Sequence, residues 1–157
     1  MDLYFCRHGE AEPAGATQTD AERQLVEAGR DDTRLVADAL ARAGLTFSHL
    51  FSSPLIRARQ TAEIVAGVFG VSVEATERLR PGSRLGEVAD LLAGQTGEGF
   101  FLVGHEPDFG DLVSQLVGGG HVRMATSAVA YVHIDRVEPG RGRLMWLVTP
   151  EVFAAAG

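Results

Sequence analysis

Two apolar segments of this chain each end on a histidine, and this pattern constrains the fold more than any other feature. The run 3–6 leads to His8, and the run 100–103 leads to His105. Short apolar runs of this kind are typical of strands that are covered on both faces of a sheet. In an open α/β sheet the carboxyl ends of neighbouring strands face one crevice, where ligands bind. We therefore expect the two histidines to meet at one edge of a sheet.

Arginines accompany these histidines. Arg7 precedes His8, and a third strand-to-helix segment carries Arg57 to the same edge. A guanidinium group binds two phosphoryl oxygens at once and keeps its proton, so these residues predict a pocket for a phosphoryl group. Arg57 is expected to line a solvent cleft and not the core. A neutral His8 could attack phosphorus, and His105 would stabilise the developing charge as an N–H donor or as a cation. Gly9 would let the backbone come close and turn sharply.

The composition favours one globular domain over residues 1–157. Hydrophobic residues make up 45% and charged residues 22% of the chain, and no repeat or linker interrupts it. The net charge of -7 disfavours nucleic-acid binding, which requires a basic surface. No apolar run approaches the roughly 18 residues of a membrane span, and no basic segment precedes the first apolar run. We expect no membrane association and a cytoplasmic location.

A cofactor or metal has little support in the sequence. Cys6 is the only cysteine, so neither a disulfide framework nor a site of several thiolates can form, and its position favours a buried apolar role. The paired spacing of His-x-x-x-His or Cys-x-x-Cys is absent, and arginines facing the pocket would repel a cation. We expect no cofactor and no metal.

Strand and helix patterns alternate along the chain. Strands are predicted at 2–6, 49–52, 71–74 and 100–103, helices around 33–40 and at 54–69, 86–92 and 108–117, and a hairpin that pairs 128–134 with 143–148. Pro54 is expected in the first turn of its helix, where its missing N–H costs nothing. These elements predict an α/β fold: a three-layer sandwich with a mixed, mainly parallel sheet between helices and a C-terminal β-hairpin.

Several other polar residues have simpler interpretations. His49 starts a strand, His121 follows a run of glycines and His133 alternates outward in the hairpin, so each is expected to be solvated or to cap an element. Arg59 lies roughly 200° around the helix from Arg57 and is expected to be solvated or paired with an acid.

Three ordered motifs carry a resemblance to a known family. Arg7, His8 and Gly9 match an Arg-His-Gly motif, Ser53, Arg57, Ala58 and Thr61 match a Ser-x-x-x-Arg-Ala-x-x-Thr motif, and Gly104 and His105 match a second histidine motif. With these the chain resembles the histidine phosphatase superfamily. The resemblance implies a phosphohistidine intermediate on His8, a phosphate pocket made by Arg7, Arg57 and His105, and no metal.

Within that superfamily the chain is similar to the small phosphohistidine phosphatases of the SixA type. Only short loops separate its elements, and the segments 124–130 and 146–150 are similar to that group. The resemblance implies an open crevice that admits a phosphohistidine on a protein surface, although it would equally admit a small phosphate ester. Whether Thr126 or Ser127 enters the pocket stays open at this point.

The usual proton donor is missing. Many superfamily members place an acid in the loop after the third strand, where this chain has Pro81. A phosphoramidate needs less help than an ester, because its leaving imidazole has a pKa near neutrality. Candidate donors remain at Glu10, Glu12, Asp20 and Glu77, although each is more simply interpreted as a solvated loop charge.

The sequence therefore leads to one main hypothesis and two alternatives. The main hypothesis is a metal-independent phosphohistidine phosphatase that acts on a phosphorylated protein through His8. The first alternative is a phosphomonoesterase that uses the same site on small molecules. The second is a module that binds phosphate without turnover, which the missing acid favours.

Overall fold

The computed structural model describes residues 1–15 and 17–156, which form one mixed sheet with helices on both faces. The strands are β1 (Asp2–Arg7), β2 (His49–Ser52), β3 (Val73–Ala75), β4 (Gly99–Gly104), β5 (Val129–Ile134) and β6 (Gly142–Val148). The helices are α1 (Glu27–Arg42), α2 (Ile56–Phe69), α3 (Leu85–Leu92), α4 (Asp108–Leu116) and α5 (Pro150–Ala154), with 3₁₀ turns at Asp20–Glu22 and Glu77–Leu79. Within the described ranges no helix is long and apolar enough to cross a membrane.

The sheet order places the two histidine-bearing strands side by side. The order is β3-β2-β4-β1-β5-β6, in which β1, β2, β3 and β4 run parallel. Strand β5 is antiparallel to β1, and β6 is antiparallel to β5, so the predicted C-terminal hairpin and the mixed, mainly parallel sheet are confirmed. Arg7 pairs with Gly104 across β1 and β4, so the residues that follow each of them emerge together at the carboxyl edge.

Alternating side chains of the strands build a core on each face of the sheet, as the two-residue period of a strand requires. On one face, α1, α2 and α5 pack on residues such as Tyr4, Leu50 and Phe101. On the other face, α3 and α4 pack on residues such as Phe5 and Phe100. All six residues of β4 are buried, as expected for a strand that is covered on both sides. The predicted three-layer sandwich is confirmed.

Cys6 belongs to this core. Its side chain is buried in β1, and burial raises the pKa of the thiol to about 12. A thiol with that pKa stays protonated and unreactive at neutral pH. The prediction of a buried apolar role for Cys6 is therefore confirmed.

Several element boundaries differ from the sequence prediction. Helix α2 begins at Ile56 and not near Pro54, because Leu55 is extended and its N–H donates to Ser53 Oγ at 3.3 Å. Strand β3 starts two residues later than predicted, because its pairing with β2 aligns Val73 with Leu50. Helix α5 has no counterpart in the prediction, since its five residues are too few for a helical repeat to be visible.

Candidate active site

The carboxyl edge of the sheet brings the four predicted site residues together. The rings of His8 and His105 lie 5.2 Å apart between centroids. The backbone N–H of His8 donates to the Gly104 carbonyl at 3.0 Å. Arg7 and Arg57 line the same cavity of about 350 Å³. Residues separated by up to 98 positions therefore share one pocket, because β1 and β4 are neighbours.

The imidazole of His8 is held in one tautomer. Its Nδ1 lies 2.7 Å from the carbonyl oxygen of Gly9, and a carbonyl can only accept, so Nδ1 carries the proton and Nε2 holds the lone pair. Burial lowers the pKa of His8 to about 4, and the charges of three nearby arginines add to this effect while the Gly9 hydrogen bond opposes it. The ring is therefore neutral at pH 7, with Nε2 available as a nucleophile.

Arg57 spans the nucleophile and an acidic loop. Its Nε donates to His8 Nε2 at 3.2 Å, one terminal nitrogen donates to the Asp20 carbonyl at 2.7 Å, and the other contacts the Asp20 carboxylate at 3.0 Å. Arg57 lines the cavity, as expected, but its side chain is only 5% exposed and is less open to solvent than the prediction implied. The reason is the 3₁₀ turn that begins at Asp20, which covers the guanidinium.

Asp20 is more than the solvated loop charge expected from the sequence. Its carboxylate pairs with Arg57 and, at 2.8 Å, with Arg23. Burial acts to raise the pKa of Asp20, but the hydrogen bonds and charges of the two arginines outweigh it and lower that pKa. A carboxylate held ionised in this way cannot serve as a proton donor at neutral pH. It instead holds a negative charge at the mouth of the pocket.

Arg23 is a pocket residue that the sequence prediction missed. It lines the cavity, and one of its terminal nitrogens donates to the Glu12 carbonyl at 2.9 Å. Arg23 lies in a loop without a hydrophobic repeat or a recognised motif, so nothing in its local sequence distinguishes it from a surface arginine. The pocket therefore contains three guanidinium groups and not the two that were predicted.

His105 is fixed by a hydroxyl from the neighbouring strand. Its Nε2 lies 2.8 Å from Ser53 Oγ, which also accepts from the Leu55 N–H. We assign the Ser53 hydroxyl as the donor to Nε2, because this uses its one hydrogen and puts the ring proton on Nδ1. Among the described residues Nδ1 is buried without a hydrogen-bond partner. Burial, then the proximity of His8 and Arg57, lowers the pKa of His105 to about 3, so it is an N–H donor and not a cation at pH 7.

Arg7 also has unused hydrogen-bonding capacity. One terminal nitrogen donates to the Met124 carbonyl at 2.8 Å, while its Nε is buried and has no partner in the described part of the chain. Burial lowers the pKa of Arg7, and the nearby Glu106 carboxylate opposes the effect. A guanidinium keeps its charge under such shifts, so Arg7 can bind an oxyanion with the groups that remain free.

Gly9 lies at a close approach between the end of β1 and α1, so the expected closeness is found, although it concerns packing. A Cβ at this position would lie 2.7 Å from the Gly29 carbonyl and 2.8 Å from Thr33 Oγ1, so the glycine allows α1 to pack against the end of β1. The Gly9 N–H donates to Thr61 Oγ1 at 2.9 Å, which ties β1 to α2. The backbone of Gly9 does not adopt a positive φ angle, so close approach and not a sharp turn explains the residue.

The structure distinguishes Thr126 from Ser127, the two residues before the hairpin whose place in the pocket the sequence left open. Thr126 lines the cavity, whereas the Ser127 hydroxyl lies 2.9 Å from Thr33 Oγ1 in the interior. Ser127 adopts a positive φ of 59°, and its N–H donates to the carbonyls of Arg7 at 3.1 Å and His8 at 3.2 Å. This left-handed residue therefore fixes the backbone below the two site residues while its side chain faces away.

The acids near the pocket differ from those predicted. Glu10, Asp20 and Glu106 line the cavity together with Pro81, whereas Glu12 and Glu77 do not line it. Glu77 instead pairs with Arg80 at the surface. Glu106 was not considered from the sequence, although its position directly after His105 places it at the same sheet edge. The 78–82 loop contains no acidic residue, and it contributes Pro81 to the cavity.

The remaining polar predictions concern residues away from this edge. Arg59 lies 3.8 Å from Glu63 on the surface of α2, as predicted. His133 of the hairpin lies 2.7 Å from the Asp2 carboxylate, and His49 contacts the Thr96 carbonyl at 2.7 Å. In the described ranges no three His, Cys, Asp or Glu side chains are grouped so that they could hold a metal ion.

The chain matches a known protein family. The family model for the histidine phosphatase superfamily (branch 1) matches residues 3–91, a span that contains Arg7, His8 and Arg57. The chain belongs to the histidine phosphatase superfamily. The match ends before His105, which the sheet topology brings into the same pocket.

Individual proteins are similar over most of the chain. Phosphohistidine phosphatase SixA of Escherichia coli is 33% identical over 156 residues, which cover 96% of this chain and 94% of that protein. An uncharacterised protein of Picosynechococcus is 38% identical over 77% of each chain. The structure of the protein histidine phosphatase SixA in complex with tungstate superposes with a TM-score of 0.86 at 31% identity, covering 97% of this chain and 99% of that one. This histidine phosphatase is therefore SixA-like in sequence and in fold.

Proposed function

We propose that this histidine phosphatase is a metal-independent phosphohistidine phosphatase that acts on a phosphorylated protein. The observation that carries the proposal is the state of His8, whose Nδ1 proton is fixed by the Gly9 carbonyl while the lone pair of Nε2 faces an arginine-lined cavity. An imidazole in this state can attack phosphorus without first losing a proton. The similarity to SixA over nearly the whole chain supports the choice of substrate.

The reaction has two displacement steps. In the first, the Nε2 lone pair of His8 forms a bond to phosphorus, and the bond from phosphorus to the substrate nitrogen breaks with its electron pair left on that nitrogen. In the second, a water oxygen attacks phosphorus, the bond to Nε2 breaks, and the electron pair returns to His8. The water proton passes to solvent, and inorganic phosphate leaves. Both steps need the phosphoryl oxygens to be held while charge redistributes.

In the proposal, the phosphoryl oxygens are bound by Arg7, Arg57 and His105. The buried Nε of Arg7 and the buried Nδ1 of His105 lack partners among the described residues, so an incoming phosphoryl group would satisfy both. Arg57 donates its Nε–H to the nucleophilic nitrogen, and when substrate binds the same N–H would donate to a phosphoryl oxygen instead, with the proton kept on Arg57. Tungstate bound to the related SixA supports an oxyanion site in this fold.

A substrate comparison tests the proposal. Purified protein is incubated with a phosphohistidine protein, a phosphoserine protein and simple phosphate esters, and phosphate release is followed with and without a chelator. We expect the phosphohistidine protein to be the fastest substrate and the chelator to have no effect. Faster turnover of the esters would favour the small-molecule phosphomonoesterase, binding without any release would favour the phosphate-binding module, and loss of activity with chelator would overturn metal independence.

Two expectations about organisation form part of the same proposal. We treat residues 1–157 as one histidine phosphatase domain and place it in the cytoplasm, with neither nucleic acid nor a membrane among its partners. A single unfolding transition seen alike by fluorescence and circular dichroism would support one domain. Cell fractionation with a tagged full-length chain would test the location.

A further inference from the structure

Glu106 lies where the phosphoryl pocket meets a second cavity. The second cavity, of about 580 Å³, is lined by Asp111, Val122 and Arg123 among others, and it shares Arg7 and Glu106 with the phosphoryl pocket. His8 lines the phosphoryl pocket but not this second cavity, the groove, so a phosphoryl group in the pocket can have its leaving group in a space that His8 does not line. An in-line displacement keeps the leaving group apart from the nucleophile in this way. A leaving group that occupies the groove must therefore pass beside Glu106.

The first turn of α4 holds the Glu106 carboxylate in position. Its Oε1 accepts a hydrogen bond of 2.7 Å from the Gly110 N–H in the first turn of α4. A Cβ at position 110 would lie 3.0 Å from both Glu106 oxygens and would collide with the Val122 carbonyl, so only glycine leaves room for this arrangement. The side chain is half-buried, and no Lys, Arg or His of the described chain lies within ion-pair distance of it.

The chemistry of this carboxylate differs from that of a proton donor. The Gly110 N–H at the start of α4 uses Glu106 Oε1 as an acceptor. An ionised carboxylate can only accept hydrogen bonds, and Oε1 is already occupied, so Oε2 is the atom left to receive a donor. Asp20, an exposed carboxylate that also lines the pocket, has both oxygens paired with arginines. Oε2 of Glu106 is therefore available to accept a hydrogen bond from an N–H or a cation of the substrate.

We propose that Glu106 is a catalytic residue that binds the distal N–H of the phosphohistidine imidazole through Oε2. This inference rests on the proposed function and specifies how the site selects a nitrogen-linked phosphoryl group. When the distal nitrogen is protonated, the bond from phosphorus to the other nitrogen breaks with its electron pair left on that nitrogen, and a neutral imidazole departs. The carboxylate stabilises the protonated ring at neutral pH, so no acid has to protonate the leaving atom. An alkyl ester has no distal N–H and forms no such contact with Glu106.

Glu106→Gln separates this role from a structural one. The glutamine carbonyl can still accept from the Gly110 N–H, but the negative charge is lost and an NH₂ donor faces the groove. We expect kcat/KM for phosphohistidine to fall by about tenfold or more, as a lost hydrogen bond between charged partners implies. We expect kcat/KM for p-nitrophenyl phosphate to fall clearly less than kcat/KM for phosphohistidine, because the ester loses only the effect of the Glu106 charge on Arg7 and no contact with its leaving group. Glu63→Gln, on the surface of α2, serves as the matched control.

The pH profile provides a second measurement. Without the carboxylate, the distal nitrogen loses its proton more readily, so the alkaline limb of kcat/KM for phosphohistidine should move to lower pH in Glu106→Gln and stay in place in Glu63→Gln. Equal losses on both substrates, or no loss on either, would overturn the role of Glu106 and leave the proposed function intact. A wild-type protein that turns over the ester faster than phosphohistidine would overturn the proposed function, and this inference with it.

Discussion

Arg57 donates its Nε–H to Nε2 of His8 at 3.2 Å, so the lone pair of the proposed nucleophile accepts a hydrogen bond from the residue proposed to bind the phosphoryl group. The same guanidinium contacts Asp20 through both of its terminal nitrogens. Substrate binding therefore has to exchange contacts of Arg57 and not merely fill an empty space. Arg57→Ala and Asp20→Asn both probe this exchange.

Arg57→Ala should lower kcat/KM for phosphohistidine by at least about tenfold. The variant loses a charged hydrogen bond to the phosphoryl group, and such a bond contributes about 1.5–3 kcal/mol, or roughly 10- to 150-fold in rate. Arg59→Ala, two residues along the same helix and paired only with Glu63 at the surface, is the control and should retain activity. Because Arg57 is buried, urea denaturation must accompany the kinetics. Wild-type activity in a folded Arg57→Ala protein would remove Arg57 from the site.

Both pocket imidazoles should be neutral well below pH 6.5. Their lowered pKa values, about 4 for His8 and about 3 for His105, mean that protonation begins only in acid. Long-range ¹H–¹⁵N NMR of the ligand-free protein should show Nδ1–H tautomers for both rings that persist from pH 7 to pH 5. A titration midpoint near 6.5 for either ring would contradict the buried, arginine-surrounded pocket.

The same shifts predict a loss of stability in acid. Between pH 6.5 and about 4 the unfolded chain takes up protons on both histidines at their ordinary pKa while the folded chain does not, so the free energy of unfolding falls as the pH falls. Urea denaturation of wild type and of His8→Gln at pH 7 and at pH 4.5 should show a smaller acid-induced loss in the variant. An identical loss in the two proteins would mean that His8 does not contribute.

Asp20→Asn should bind inorganic phosphate more tightly than the wild type does. The substitution removes a negative charge that occupies Arg57 and Arg23, and exposed ion pairs of this kind are worth up to about 1 kcal/mol, or about two- to fivefold in affinity. Competitive inhibition by phosphate provides the measurement. Asp90→Asn, which breaks the exposed pair with Arg78, should leave the inhibition constant unchanged. Weaker inhibition in Asp20→Asn would show that Asp20 orders the arginines and does not compete for them.

Gly9→Ala should destabilise the protein by about 1–3 kcal/mol, because the added methyl group meets the Gly29 carbonyl and Thr33 in a close-packed contact. Gly67→Ala makes an informative control, since Gly67 lies within α2 and its Cβ would meet nothing within 4 Å. Removing a glycine from a helix interior should stabilise the protein by about 0.5–1 kcal/mol. Urea midpoints of the two variants should therefore shift in opposite directions, and equal shifts would contradict the packing explanation for Gly9.

Two kinds of feature could be predicted from the sequence: elements with a periodic apolar pattern, and site residues that directly follow a strand. Apolar runs and helical spacing located most elements, and the rule that parallel strands share a carboxyl edge was enough to place His8 beside His105. The boundary errors at Pro54 and at β3 arose where a single side-chain hydrogen bond or a strand register decides the boundary.

Other features of the site depend on contacts that no local pattern encodes. Asp20 meets Arg57 across 37 positions through a loop without periodicity, so neither the ion pair nor the burial of Arg57 could be deduced. Arg23 enters the pocket through the same loop. Glu106 could have been noticed, because it follows His105 directly, but its hydrogen bond to Gly110 depends on how α4 begins.

The most direct test of the account is to trap the phosphoenzyme. Rapid mixing with ³²P-labelled phosphohistidine protein, followed by an alkaline quench that preserves phosphohistidine, should show up to one labelled phosphate per chain, and peptide mapping should place it on His8. His8→Ala should show no label, whereas His133→Ala, which alters a surface imidazole of the hairpin, should label as the wild type does. Turnover without any labelled enzyme, or label on a residue other than His8, would contradict the central claim.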